Sequence, residues 1–257
     1  MMPFDMKTSI FTYILVNHIY SLVLGVVWYR NRTRRWGIGF FFADFVLKSA
    51  GMTLACLRHT PPHAISIVAA NTLMFSGTIF MLFGTARFFG VRLRARPYVL
   101  YVILFTALYA FFALIRPDIR VRIVLFSGML LPVVSHSAWI VFSCPDRELK
   151  NHGVPAGVTF ALFAAVFFAR VVFALTGDPI ASYFHQPIMD SVLTLLCQVL
   201  SVFLAYSLLL MISNRSTGQL HRETPPMTPQ EPGADTPAPW IGYRLYRRIF
   251  PLKGLFR

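Results

Sequence analysis

Apolar runs separated by short basic or proline-bearing links fill the chain from Ser9 to Ile212. A bilayer core of about 30 Å is crossed by roughly 20 residues of helix, each rising about 1.5 Å. Runs of about this length cover Ser9–Tyr29, Gly37–Leu57, Ala64–Thr85, Tyr98–Ile115, Ile123–Phe142, Gly153–Thr176 and Ile188–Ile212. The fourth is the shortest, but Val99 to Leu114 carries no charge, so it still reads as a span. The pattern therefore predicts an all-α fold, a polytopic seven-helix transmembrane bundle over residues 1–212. Pro132 and Pro155 predict kinks or frayed ends, and Gly153 with Gly157 makes a GxxxG spacing that permits close helix contact.

The pattern changes after Ile212. Residues 213–239 are polar and carry Pro225, Pro226, Pro229, Pro232, Pro237 and Pro239. Such a stretch has too little apolar surface to fold and is expected to be a disordered linker. Residues 240–257 form a basic tail beginning WIGYRLYRRIF. There Ile241, Leu245 and Ile249 repeat at helical spacing while Arg244, Arg247 and Arg248 take another face. That arrangement predicts a short amphipathic helix lying on an anionic membrane surface.

Composition supports the membrane reading. Hydrophobic residues make up 56% of the 257, charged residues 13%, and Phe alone numbers 25. A soluble domain carries about a quarter charged residues to wet its surface. A net charge of +14 would suggest nucleic-acid binding in a soluble protein. Here it follows from basic links facing anionic lipid, so the bilayer is the expected partner and nucleic acid is not.

The basic residues also predict orientation. Arg30, Arg32, Arg34 and Arg35 fill the first link, Arg87, Arg92, Arg94 and Arg96 the third, and Arg147 and Lys150 the fifth. The tail adds further arginines, whereas the opposite side holds Lys7, Arg58, Arg116, Arg120 and Arg122. The positive-inside bias then places the N-terminus outside and the C-terminus in the cytoplasm. Met1 to Thr8 lacks a small-residue cleavage site, so the first span is expected to be retained. The outer links are too short for an extracellular domain, and a stimulus would have to act on the bundle or from the lipid.

Charges inside spans need a reason, because each costs about 2.5–3.5 kcal/mol at mid-bilayer on insertion scales. Asp44 and Lys48 are one turn apart and can pair. The pair reads equally as a ligand- or proton-linked switch or as a self-neutralising pair fixing helix orientation. Arg170, near the outer end of the sixth span, either snorkels to the interface or pairs with a group such as Asp190. His18, Asn71 and His136 are further intramembrane polar groups, able to bond between helices or to line a cavity. Cys56, Cys144 and Cys197 are too scattered for a disulfide framework, and no metal-ligand spacing, P-loop or nucleophile elbow occurs. No metal, cofactor or catalytic residue is expected. The last span has no lysine for a retinal Schiff base, and repeated halves of the transporter type are not visible.

One stretch is more specific. Pro61-Pro62-His63-Ala64-Ile65-Ser66-Ile67, then Ala70-Asn71-Thr72-Leu73, then Gly84-Thr85-Ala86-Arg87-Phe88-Phe89-Gly90 resembles the third-helix region of the multi-span sensor segments of bacterial diguanylate cyclases (GGDEF proteins). The resemblance extends over about Asp5 to Arg215. In that family the last span continues through a signalling helix into a catalytic domain. Here no GGDEF signature is present, and the residues after Ile212 are too few and too proline-rich for a cyclase domain. The resemblance thus implies a sensory or signal-input module of the bacterial inner membrane, not an enzyme, acting through a cytoplasmic signalling protein. Self-association into a homo-oligomer stays open. The alternative is a small transporter or channel that uses the same polar groups as a path.

Overall fold

The computed structural model describes residues 6–31, 37–56, 63–176 and 182–223. It comprises α1 (Met6–Arg30), α2 (Ile38–Cys56), α3 (His63–Phe88), α4 (Ala95–Ala110), α5 (Ile119–Phe142), α6 (Arg147–Thr176) and α7 (Ser182–Glu223). A single π-helical turn, Phe111–Ile115, prolongs α4. Among the described residues, seven helical segments, α4 counted with its π turn, are long and apolar enough to cross a membrane, which supports the predicted polytopic bundle. The physical reason is general: lipid offers backbone groups no partners, so a spanning segment must satisfy its own hydrogen bonds, as a helix does.

Side-chain distribution fits a lipid exterior. Leu15, Leu22 and Val26 of α1 and Val99, Leu100, Ile103 and Leu104 of α4 are exposed. Phenylalanines fill the interior, where Phe41, Phe45, Phe75, Phe88, Phe105 and Phe160 are fully buried. Phe75 of α3 and Phe105 of α4 stack with centroids 4.1 Å apart.

The closest packing joins α2 to α3 and α5 to α6. Along the first seam, glycines bring the two backbones together. A methyl group on Gly51 would lie 2.7 Å from the Ala70 carbonyl oxygen, and one on Gly77 would lie 3.0 Å from the Asp44 carbonyl and carboxylate oxygens. On Gly84 it would meet the Phe41 ring at 2.6 Å. The second seam uses the GxxxG pair: Gly157 packs on Val141 and Phe142, and Gly153 on Val141 and on Phe89 from the exit of α3. Small residues at such interfaces are what drives association where lipid tails are as apolar as the helices.

The helix ends have identifiable chemistry. α3 closes in a Schellman motif, with Val91 N–H donating to the Ala86 carbonyl at 2.7 Å and Gly90 N–H to Arg87 at 3.3 Å. Gly90 sits at φ 77°, a left-handed conformation that favours glycine. Asp118 caps α5 by accepting from Val121 N–H at 3.2 Å. Asp146 caps α6 by accepting from Glu148 N–H at 3.0 Å and Leu149 N–H at 3.2 Å.

α5 and α6 run on through Pro132 and Pro155 without a break. α7 differs from expectation at both ends, starting at Ser182 rather than Ile188 and continuing past Ile212 to Glu223. Residues 213–223 carry no proline, and Pro225 is the first residue that would deny the helix a backbone donor. Polar residues here make the helix invisible to hydropathy, not unstable. The rest of the predicted linker and the tail with Arg244, Arg247 and Arg248 lie outside the described residues.

Gly51→Val should lower the stability of the detergent-solubilised protein by about 1–3 kcal/mol through overpacking. Gly128→Ala, whose added methyl would find its nearest neighbour at 3.9 Å, should hold or raise the melting temperature, because a mid-helix glycine costs about 0.5–1 kcal/mol against alanine. Thermal unfolding in detergent compares the two; equal effects would contradict the seam.

Candidate functional site

Asp44 lies about 9 Å of helix rise inside the start of α2. Its side chain is fully buried, while that of Lys48 keeps 21% exposure. Lys48 Nζ donates to Asp44 Oδ2 at 3.0 Å and lies 2.7 Å from Oδ1. Both carboxylate oxygens therefore face one ammonium group. Across the seam on α3 stands Gly77, where an added methyl would lie 3.0 Å from Asp44 Oδ1 and 3.3 Å from Lys48 Cγ. Lys48 also lies 6.0 Å from the centre of the Phe45 ring.

Three other helices bring polar groups toward the pair. Tyr13 of α1 shares a 3.1 Å hydrogen bond with Ser201 of α7, and both Asp44 and Cys197 are near enough to act electrostatically on its hydroxyl. Ser201 Oγ donates in turn to the Cys197 carbonyl at 2.8 Å. One turn along α1, Asn17 Nδ2 donates to the Tyr13 carbonyl at 2.8 Å. Asn17 is 1% exposed, and its Oδ1 has no partner among the described residues. Arg170 of α6 is half-buried and, like Lys48, lies within electrostatic range of Cys197. The result is a polar centre drawn from α1, α2, α6 and α7.

The structure separates the other predicted residues from this centre. His18 is exposed and bonds through Nδ1 to the Ile14 carbonyl of its own helix at 2.9 Å. Asn71 is buried on the α2–α3 seam, at the level of Gly51, and donates to the Ile67 carbonyl at 2.8 Å. His136 belongs to α5 and pairs through Nδ1 with the Tyr98 hydroxyl of α4 at 3.1 Å. The side chain of Asp190, the alternative partner for Arg170, lies outside the described residues. Among the described residues no group of three His, Cys, Asp or Glu side chains is placed to hold a metal.

A further junction had no sequence signal. Arg215 of α7 donates to the Phe88 carbonyl at 2.6 Å and lies over the Phe88 ring at 4.7 Å. That carbonyl belongs to the last turn of α3, where helical partners run out and a cation is favoured. Beside it, Asn214 approaches His152 of α6 at 3.4 Å. Tyr13 and Asn17, by contrast, sit at i, i+4, a spacing that sequence reading can use.

No family model, curated protein or solved structure matches the chain. The class defined by the coordinates is thus an all-helical, multi-span membrane-type protein with a charged pair buried in its bundle.

Removing Lys48 alone strands a buried carboxylate. Lys48→Ala should destabilise the bundle by about 3–5 kcal/mol, and more than Asp44→Ala/Lys48→Ala does. Chemical denaturation in mixed micelles measures both; an equal loss would mean that the two groups do not interact.

Proposed function

We infer that the chain is a membrane-embedded signal-input module of a bacterial inner membrane, with its N-terminus outside and its output delivered through a cytoplasmic partner. The observation that carries this reading is α7. Its 42 helical residues are about twice the number that cross a bilayer core. One helix therefore bears both Ser201, bonded to the polar centre, and the polar segment beyond Ile212. A signalling helix leaving the last span is also what the resemblance to the sensor segments of diguanylate cyclases implies.

The mechanism is a two-state bundle. A ligand, lipid or proton that favours one arrangement of Tyr13, Asn17, Asp44, Lys48 and Ser201 shifts the population of α7 positions. The unmet Oδ1 of Asn17 gives such an input a buried acceptor to satisfy. Exposed Trp28, Tyr29 and Trp139 lie toward the basic end of the bundle, where interfacial aromatics are expected.

Three measurements test the reading. A fluorescent protein fused behind Arg257 should fluoresce, whereas an active periplasmic phosphatase at that position would reverse the orientation. Tyr13→Phe should change the host transcript profile in the direction that gene deletion does, at unchanged membrane abundance. Proteoliposomes of the purified chain should pass ions and metabolites no faster than protein-free vesicles. Flux above that background would replace signal input by transport.

A further inference from the structure

A cleft of about 290 Å³ opens between α4 and α5, lined by Pro97, Tyr98, Tyr101, Pro132, Val133 and His136. Proline chemistry accounts for its form. Pro132 has no N–H, so the α5 ladder loses a bond there. Tyr101 of α4 donates its hydroxyl to the neighbouring Met129 carbonyl at 2.8 Å, joining the helices just below the gap. Tyr98 and His136 close the other side, hydrogen-bonded and with rings stacked at 6.5 Å.

The cleft has a polar side and a lateral opening. His136 uses Nδ1 for Tyr98, and its Nε2 has no partner among the described residues. Where the Tyr98 hydroxyl donates to Nδ1, Nε2 carries the ring proton and is a donor. Pro132, Ser135 and Trp139 are exposed on α5, as are Val99, Leu100 and Ile103 on α4. Ser135 apart, these exposed flanks are apolar and suited to lipid. Trp139 and the start of α4 put the cleft at interfacial depth, where headgroups lie. Immediately before Pro97 stand Arg94 and Arg96, both exposed, with Arg92 just beyond.

We propose that this cleft binds the phosphate headgroup of one anionic phospholipid from the surrounding leaflet. The arginines meet the phosphate charge, His136 donates to a phosphate oxygen, and the acyl chains run along the exposed α4 and α5 flanks. The cleft is at the small end of ligand-pocket volumes, about 300–1,000 Å³, and suits a headgroup rather than a whole lipid. Neither the orientation of the chain nor its signalling role enters this assignment.

Native mass spectrometry of the full chain, titrated with phosphatidylglycerol or phosphatidylcholine, tests it. One tightly retained phosphatidylglycerol per chain is expected, and no retained phosphatidylcholine. Arg94→Gln/Arg96→Gln should weaken retention about thirtyfold, and His136→Phe about tenfold. Arg147→Gln/Lys150→Gln, which removes two charges away from the cleft, should change it little. Melting temperatures of all variants establish that each is folded. Equal weakening by the two charge-removing doubles would reduce the effect to general surface attraction and overturn the site. Displacement of the lipid by millimolar inorganic phosphate would overturn the lipid assignment in favour of a soluble phosphate ligand.

Discussion

The close approach of α2 and α3 is the constraint from which much of this bundle follows. In lipid, two apolar helices gain little by leaving acyl chains for each other, so contact must come from packing that lipid cannot match. Gly51, Gly77 and Gly84 provide it at three levels of one seam. The same approach sets Gly77 directly against the carboxylate of Asp44, whose side chain is fully buried. Lys48 meets it one turn away, and the partial exposure of Lys48 lets the ammonium keep some solvation while its partner has none.

What was legible in the sequence divides along physical lines. The helix count was legible because insertion imposes a length and a composition on every span. The Asp44–Lys48 pair was legible because i, i+4 geometry is local. Contacts of the Tyr13–Ser201, Tyr98–His136 and Arg215–Phe88 kind depend on tertiary placement, and no spacing rule announces them. His18 and Asn71 take a local alternative. Each was eligible for a shared cavity by type and depth, yet each bonds to the carbonyl four residues back on its own helix. That local bond is available wherever a short polar side chain sits on a helix, and it competes with any interhelical partner. The extension of α7 escaped notice for another reason. Hydropathy reports where a helix is buried in lipid, whereas helicity beyond Ile212 needs only helix-compatible residues before the first proline.

The GxxxG pair gives a related lesson. Such a spacing is common in apolar sequence and carries little information by itself. In the fold, Gly153 and Gly157 make room for Phe89 and Val141, so the seam between α5 and α6 also receives the exit of α3. Gly90, which terminates α3 in its left-handed conformation, directs the chain away at the same place. One short stretch, Phe88 to Gly90, thus joins three helices: α3 by its cap, α6 by Phe89, and α7 through the carbonyl that Arg215 holds.

On the signal-input reading, the unequal strength of the two attachments of α7 decides how the helix moves. Ser201 and Arg215 lie about four turns apart and so on nearly the same side of the rod. The Tyr13–Ser201 bond joins neutral hydroxyls, and such bonds in membranes average about 0.6 kcal/mol. Arg215 instead combines a charge-assisted bond to an otherwise unserved helix-end carbonyl with its position over an aromatic face, and each of these is the stronger kind of contact. On that reading an input at the polar centre would release the weaker attachment first, and α7 would swing about the stronger one instead of sliding past it. The end of α3, where Arg215 holds the Phe88 carbonyl, would then be the pivot.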